Sequence, residues 1–158
     1  MSKREDFSQE RLLREYLIPL SFAEVRAILE KRKTQVRRVI KPQPPDVSSL
    51  CGPEVYEPVA ERCGEEVPGE PIFGVYSADG EWGIRCPYGQ PGDRLLVKEE
   101  WCEYGKGRYI YRADYVDGLG PLADGIGGPW CSSIYMPRRA SRITLELTDV
   151  RVHRVQDI

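Results

Sequence analysis

Apolar residues recur along this chain in two rhythms, one helical and one alternating, and the change between them divides it. Leu12, Leu13, Tyr16 and Leu17 fall at helical spacing within a charged stretch. Residues 1–17 are therefore expected to form a charged helical lead-in with one apolar face. A stronger helix begins at Ser21. Ser21 followed by Glu24 is a capping box, in which the serine oxygen accepts from a backbone N–H and the glutamate reaches back to the cap. Phe22, Val25, Ile28 and Leu29 then repeat at helical intervals and are expected to face a core, with the helix running to about Lys31.

Beyond Lys31 the rhythm becomes that of strands. Val36, Val39 and Ile40 suggest a strand that stops before Lys41-Pro42, since proline cannot donate to a ladder. Residues 42–70 are rich in proline, glycine and acid, show little periodicity and read as a long irregular excursion. A hairpin follows, with strands over residues 71–76 and 81–86 joined by a turn through Ala78-Asp79-Gly80. The turn-rich Pro87-Tyr88-Gly89-Gln90-Pro91-Gly92-Asp93 launches a strand over 94–101, with another over 108–113 and a glycine-rich loop over 114–128. Ile143, Leu145 and Leu147 alternate with polar neighbours, and the apolar phase then slips to Val150 and Val152. A one-residue slip turns every side chain over, so a bulge or bend is expected near Thr148-Asp149. Many short strands with one or two helices predict an α+β fold, a small and mostly antiparallel β-barrel with one or two flanking helices. At 158 residues the chain fits a single domain over 18–158 behind the lead-in, with variable loops at about 42–70 and 114–130.

Composition refines that picture in three respects. No run approaches the roughly 20 apolar residues that a membrane helix needs, and the charged N-terminus lacks the apolar core of a signal peptide, so a cytoplasmic location is expected. The five cysteines are odd in number and lack C-x-x-C spacing, and His153 is the sole histidine. Neither a disulfide framework nor a metal site is expected, and no cofactor motif of Walker or Rossmann type occurs. The net charge is only −2, but the charges are segregated. Residues 26–41 carry seven basic side chains against Glu30 alone, residues 46–70 carry seven acids against Arg62, and residues 132–144 hold three arginines and no acid. Segregation of this kind creates local fields that the net charge conceals.

Two basic stretches are candidates for chemistry. In the first, Lys33, Thr34, Arg37 and Arg38 lie where a helix gives way to a strand, an arrangement that converges cations suited to phosphate with a hydroxyl beside them. In the second, Tyr135, Arg138 and Arg139 combine an aromatic face for base stacking with cations for phosphate. Trp82, Trp101, Trp130 and Tyr88 could line an aromatic pocket, although core packing is the more common role for such residues. No catalytic triad is evident around His153.

Four blocks in order, VRAILEKRKTQVRR, CPYGQPGDRLLVKEEW, YRADY and SSIYMPRRASRITLELTDVRVHRVQDI, resemble the ASCH-domain proteins of bacteriophages and prophages, members of the PUA-like superfamily. The resemblance covers about residues 17–158. It implies a PUA-like β-barrel with a cleft near a KTxTxR-type segment, in a superfamily that includes RNA-binding modules and readers of modified bases. One bacterial relative is an amidohydrolase that removes the acetyl group of N4-acetylcytidine with a lysine and a threonine of that segment and a later glutamate. The lysine matches Lys33 and the first threonine matches Thr34. The second threonine, the relative's nucleophile, is Val36 here, the preceding glycine is Lys31, and the glutamate falls past the equivalent of Ile158. A valine has no oxygen to deprotonate.

The expectation is therefore a module that binds RNA, single-stranded nucleic acid or a nucleotide, modified or not, through Lys33, Thr34, Arg37, Arg38, Tyr135, Arg138 and Arg139. The alternatives are an acylated-nucleoside hydrolase using Lys33 and Thr34, and a phage accessory protein that grips a host or phage protein.

Overall fold

The computed structural model describes residues 13–46, 48–115 and 128–154. Its centre is a three-stranded sheet in which β7 (Arg94–Lys98) lies between β1 (Glu15–Pro19), parallel to it, and β10 (Thr144–Glu146), antiparallel to it. With neighbours on both edges, Leu95, Leu96 and Val97 are all buried, as a continuous apolar run in a central strand should be. The expected lead-in helix does not extend to residue 17. Residues 1–12 lie outside the described residues, and Glu15 to Leu17 are strand. Period two prevails there because the parallel ladder sets Tyr16 opposite Leu95 and Ile18 opposite Val97. Ile18 is 2% exposed and Leu17 44%.

The single α-helix among the described residues is α1 (Phe22–Leu29), and its capping box forms as the sequence predicts. The Glu24 N–H donates to Ser21 Oγ at 3.3 Å, and the Ser21 N–H donates to the Glu24 carboxylate at 3.0 Å. Val25 is fully buried against Ile18, Leu20, Leu95, Val97 and Ala113, with Ile28 and Val36 packed at the margin. Each fully buried aliphatic side chain contributes roughly 1.5–3 kcal/mol. Leu29, expected to face the core, is instead 47% exposed, because the helix ends there.

Three expectations for the strands are corrected. Residues 36–40 form no strand and join none of the sheets among the described residues, although Val36 still packs on the core. Residues 42–70 are not irregular. They contain β2 (Leu50–Tyr56), which pairs antiparallel with β5 (Ile72–Ser77), and a hairpin of β3 (Val59–Arg62) with β4 (Glu65–Pro68). The register of β2 shifts between Cys51 and Glu54, where Gly52 holds φ +93°, so its alternation is broken. Cys63 and Gly64 both have positive φ in the two-residue turn between β3 and β4, a geometry usually signalled by Asn-Gly. The expected strand over 94–101 divides at Glu99-Glu100 into β7 and β8 (Trp101–Glu103), and β8 pairs with β9 (Tyr109–Tyr111).

The hairpin of β5 with β6 (Gly83–Arg85) stands where the sequence places it. The final run is shorter than expected. Its ladder is confined to β10 (Thr144–Glu146), and Leu147 adds backbone bonds to Asp93 and Gly92 on its way out. Among the described residues nothing pairs with the chain at Thr148-Asp149, and no bulge is seen there. The fold is thus α+β, mostly antiparallel sheet, in four small sheets; the described residues do not close a barrel.

Candidate nucleic-acid interface

The C-terminus of α1 builds the basic junction. The Lys31 N–H donates to Ile28 O and the Arg32 N–H to Ala27 O, which is the Schellman arrangement, and it requires a left-handed residue at the first of these two donors. That residue is Lys31, at φ 59°. The reversal turns Lys33 back toward the first turn of the same helix. There Glu24 collects the cations: Arg38 Nη1 lies 3.3 Å and Lys33 Nζ 3.9 Å from its Oε1. Arg38 Nη2 also donates to Pro19 O at 3.0 Å. Burial raises the Glu24 carboxyl, but hydrogen bonds from the Ser21 backbone and hydroxyl and from Arg38 outweigh it and hold the group below its ordinary value. Arg38 is therefore held in place and Lys33 lies within ion-pair reach of Glu24, whereas Arg37 and Thr34 are exposed and make no side-chain hydrogen bond or ion pair among the described residues. Val36 is packed against the core.

An open cleft of about 500 Å³ adjoins this junction. Pro19, Leu20 and Ser21 form one wall, the same segment that carries the Arg38 contact and the helix cap. Trp130, Ser133 and Ile134 form the other. At the floor Glu100 is paired with Arg112, whose guanidinium also lies 4.4 Å over the Phe22 ring. Trp130 packs edge-on against Tyr115, with ring centroids 5.4 Å apart. The wall beyond is pinned to the central sheet by Lys98, whose ammonium donates to Ile134 O.

Glu99 and Glu100 divide the labour beneath the cleft. While Glu100 faces it, Glu99 points inward, is 0% exposed, and receives Arg142 Nε and Nη2 at 2.9 and 3.0 Å. The same guanidinium donates to Asp114 at 2.8 and 2.7 Å and lies 4.0 Å over the Tyr111 ring. Burial works against the charge of Arg142, but the bonds to Glu99 and Asp114 prevail and raise its pKa above that of a free arginine. The cluster ties the entry to β8, the end of β9 and the start of β10 into one unit.

The remaining sequence candidates are not gathered into one patch. Tyr135 is 78% exposed on the rim beyond Ile134, Arg139 Nε donates to the Tyr109 hydroxyl at 2.8 Å, and Arg138 pairs with Glu15 at the far end of β1. Nor do the aromatic candidates meet. Trp101 packs edge-on against Tyr109, Tyr88 lies against the core, Trp82 donates its backbone N–H to Ser77 Oγ in the β5–β6 hairpin, and only Trp130 lines the cleft. Ser21, Glu100 and Arg112 escaped the sequence reading as site residues. Consecutive glutamates at the end of an apolar strand were the available signal, because neighbours there face opposite sides. Among the described residues no three His, Cys, Asp or Glu side chains converge as a metal site would require. Comparison with protein-family models, with curated proteins and with solved structures returns no match.

Proposed function

We propose that this chain is an ASCH-type, PUA-like module, and that it binds single-stranded nucleic acid or a nucleotide in the cleft between Pro19–Ser21 and Trp130. The observation that carries the reading is the shared wall: the segment lining the cleft also anchors Arg38 and, through Ser21 and Glu24, Lys33. A base stacked on Trp130 would leave its phosphates toward the junction, where exposed Arg37 and Thr34 supply a free cation and a hydroxyl. Contacts of this kind position a strand without reading its sequence. In this reading the four sheets are the walls of a PUA-like barrel, and the protein works in the cytoplasm of a bacterial host. No described helix is long and apolar enough to cross a membrane.

The acyl-nucleoside hydrolase reading has less support, because Val36 packs on the core where a nucleophile would stand. A host-protein grip through the lead-in concerns residues 1–17, of which 1–12 lie outside the described residues.

Fluorescence anisotropy with labelled single- and double-stranded RNA and DNA at two salt concentrations tests the proposal. Single strands should bind, more weakly at high salt, and Trp130→Ala should weaken binding by about tenfold, the effect of removing one stacking platform. Absence of binding to any strand at low salt would end it.

A further inference from the structure

A second open pocket, of about 560 Å³, lies at the other end of β1 and is lined by four arginines: Arg14, Arg85, Arg94 and Arg138. Three are on no stretch that the charge pattern marks. The fold assembles them. The parallel register sets Glu15 opposite Arg94, and the Arg94 N–H donates to Arg14 O at 2.9 Å. Buried Asp93 fastens the base of the pocket, accepting from the Arg14 N–H at 3.3 Å and the Gln90 N–H at 3.0 Å. The turn between β6 and β7 then folds back on itself, carrying Arg85 at its start beside Arg94 at its end.

Four guanidinium groups share this pocket with one carboxylate, Glu15, which Arg138 already engages. The guanidinium groups of Arg14, Arg85 and Arg94 make no ion pair or hydrogen bond among the described residues. Elsewhere Arg26, Arg38, Arg112, Arg139 and Arg142 each have a protein partner, and Arg37, Arg62 and Arg108 stand exposed without one among the described residues; what sets the pocket apart is that it gathers its arginines in one place. Four cations gathered about fewer carboxylates, Glu15 in the lining and Asp93 behind it, repel one another, and a phosphate relieves that repulsion while matching the two-pronged donor geometry of arginine.

The pocket and the cleft are also connected. From Tyr16 to Leu20 the strand advances about 13 Å, at roughly 3.3 Å per residue. Alongside, the chain runs from Ser133 and Ile134 at the cleft to Arg138 at the pocket, and Ile134 and Tyr135 between them are 66% and 78% exposed. An apolar and aromatic step thus separates a stacking site from a cationic one.

We propose that the arginine pocket is a phosphate subsite for the strand whose base occupies the cleft, with the strand crossing Ile134 and Tyr135 between the two. This rests on the nucleic-acid reading of the cleft. The shared chemistry is a phosphate, either a diester within the strand or a monoester at its end.

The test compares wild type, Arg85→Ala/Arg94→Ala and Trp130→Ala by anisotropy, using oligouridylates from a dinucleotide upward, with and without a terminal phosphate, at several salt concentrations. Both arginine side chains are on exposed residues, and a thermal melt checks that the fold is intact. Wild-type affinity should rise once the strand is long enough to reach the pocket. The double variant should lose at least about tenfold on long strands, little on the shortest, and its log-log salt slope should flatten by about 0.7 for each phosphate left without its arginine. A gain from the terminal phosphate on strands too short to place a diester there would identify the monoester; no gain would identify the diester. If the double variant binds every length as wild type does while Trp130→Ala weakens all of them, the pocket is not a subsite and the cleft reading stands. Equal losses at every length would also overturn the subsite, since they would mark a diffuse field. If wild type binds no strand, both proposals fall together.

Discussion

Replacing Arg142 with methionine removes four charge-assisted hydrogen bonds and one cation–π interaction, but these losses are unequal. The Asp114 side chain is 46% exposed, and water replaces its partner, so that half of the network is worth on the order of 0.2–1 kcal/mol. Glu99 is different. It is 0% exposed and receives both of its ion-pair bonds from Arg142, so the substitution strands a carboxylate in the protein interior. Removing one partner of a buried pair costs about 3–5 kcal/mol, which for a domain of this size lowers the melting temperature by about 6–20 °C. The same reasoning predicts rescue. Arg142→Met/Glu99→Met replaces the pair by apolar groups of similar size and should lie within about 1–2 kcal/mol of wild type. Urea unfolding of wild type, both single variants and the double variant forms a mutant cycle and gives the coupling directly. A loss below about 1 kcal/mol for Arg142→Met, or losses that simply add in the double variant, would refute the claim that Glu99 depends on Arg142.

Three further outcomes follow from the junction and the turn beside the arginine pocket. The Glu24 carboxyl sits below its ordinary 4.5, so its pairing stabilises the fold above that pH and is lost as pH falls through the lowered value. Glu24→Gln should therefore cost roughly 1 kcal/mol near neutrality, and the gap to wild type should close in urea titrations below pH 4.5; a constant gap would contradict the assignment. Lys31 occupies a left-handed position that glycine adopts without strain, so Lys31→Gly should raise stability by about 0.5–1 kcal/mol in thermal melts, and a loss would mean that the lysine side chain contributes a contact of its own. Gly89 holds φ +86°, and a Cβ there would stand 2.5 Å from both Asp93 Oδ2 and the Tyr16 ring. Gly89→Ala should cost about 2 kcal/mol or more by urea unfolding, and a neutral result would show that the turn adapts freely.

Local chemistry was legible where the chain decides its own conformation. Ser21 and Glu24 announce the helix start, Ala78-Asp79-Gly80 announces a hairpin, and the turn before Asp93 announces the central strand. Pairing between distant segments was not. Tyr16 and Leu17 have helical spacing, yet β7 recruits them as a strand, and β2 shows no alternation because Gly52 and a register shift interrupt it. The β3–β4 hairpin is exposed except for half-buried Val67, so it leaves little hydrophobic signature. Charge patterning likewise located the junction but not its geometry. Lys33 and Arg38, the cations the pattern favours for phosphate, are paired with Glu24, while Arg14, Arg85 and Arg94 are isolated in sequence and meet only after folding. Trp130 was visible as an aromatic residue. Its place opposite Ser21 depends on an approach between distant parts of the chain.

The central claim, that a strand stacks in the cleft beside the basic junction, is tested most directly by mapping ultraviolet cross-links from a photoreactive single-stranded oligouridylate by mass spectrometry. The account predicts adducts concentrated on Trp130 and Tyr135, suppressed by excess unlabelled strand and reduced by high salt. Cross-links absent from residues 128–142, or concentrated on the β3–β4 hairpin instead, would contradict it.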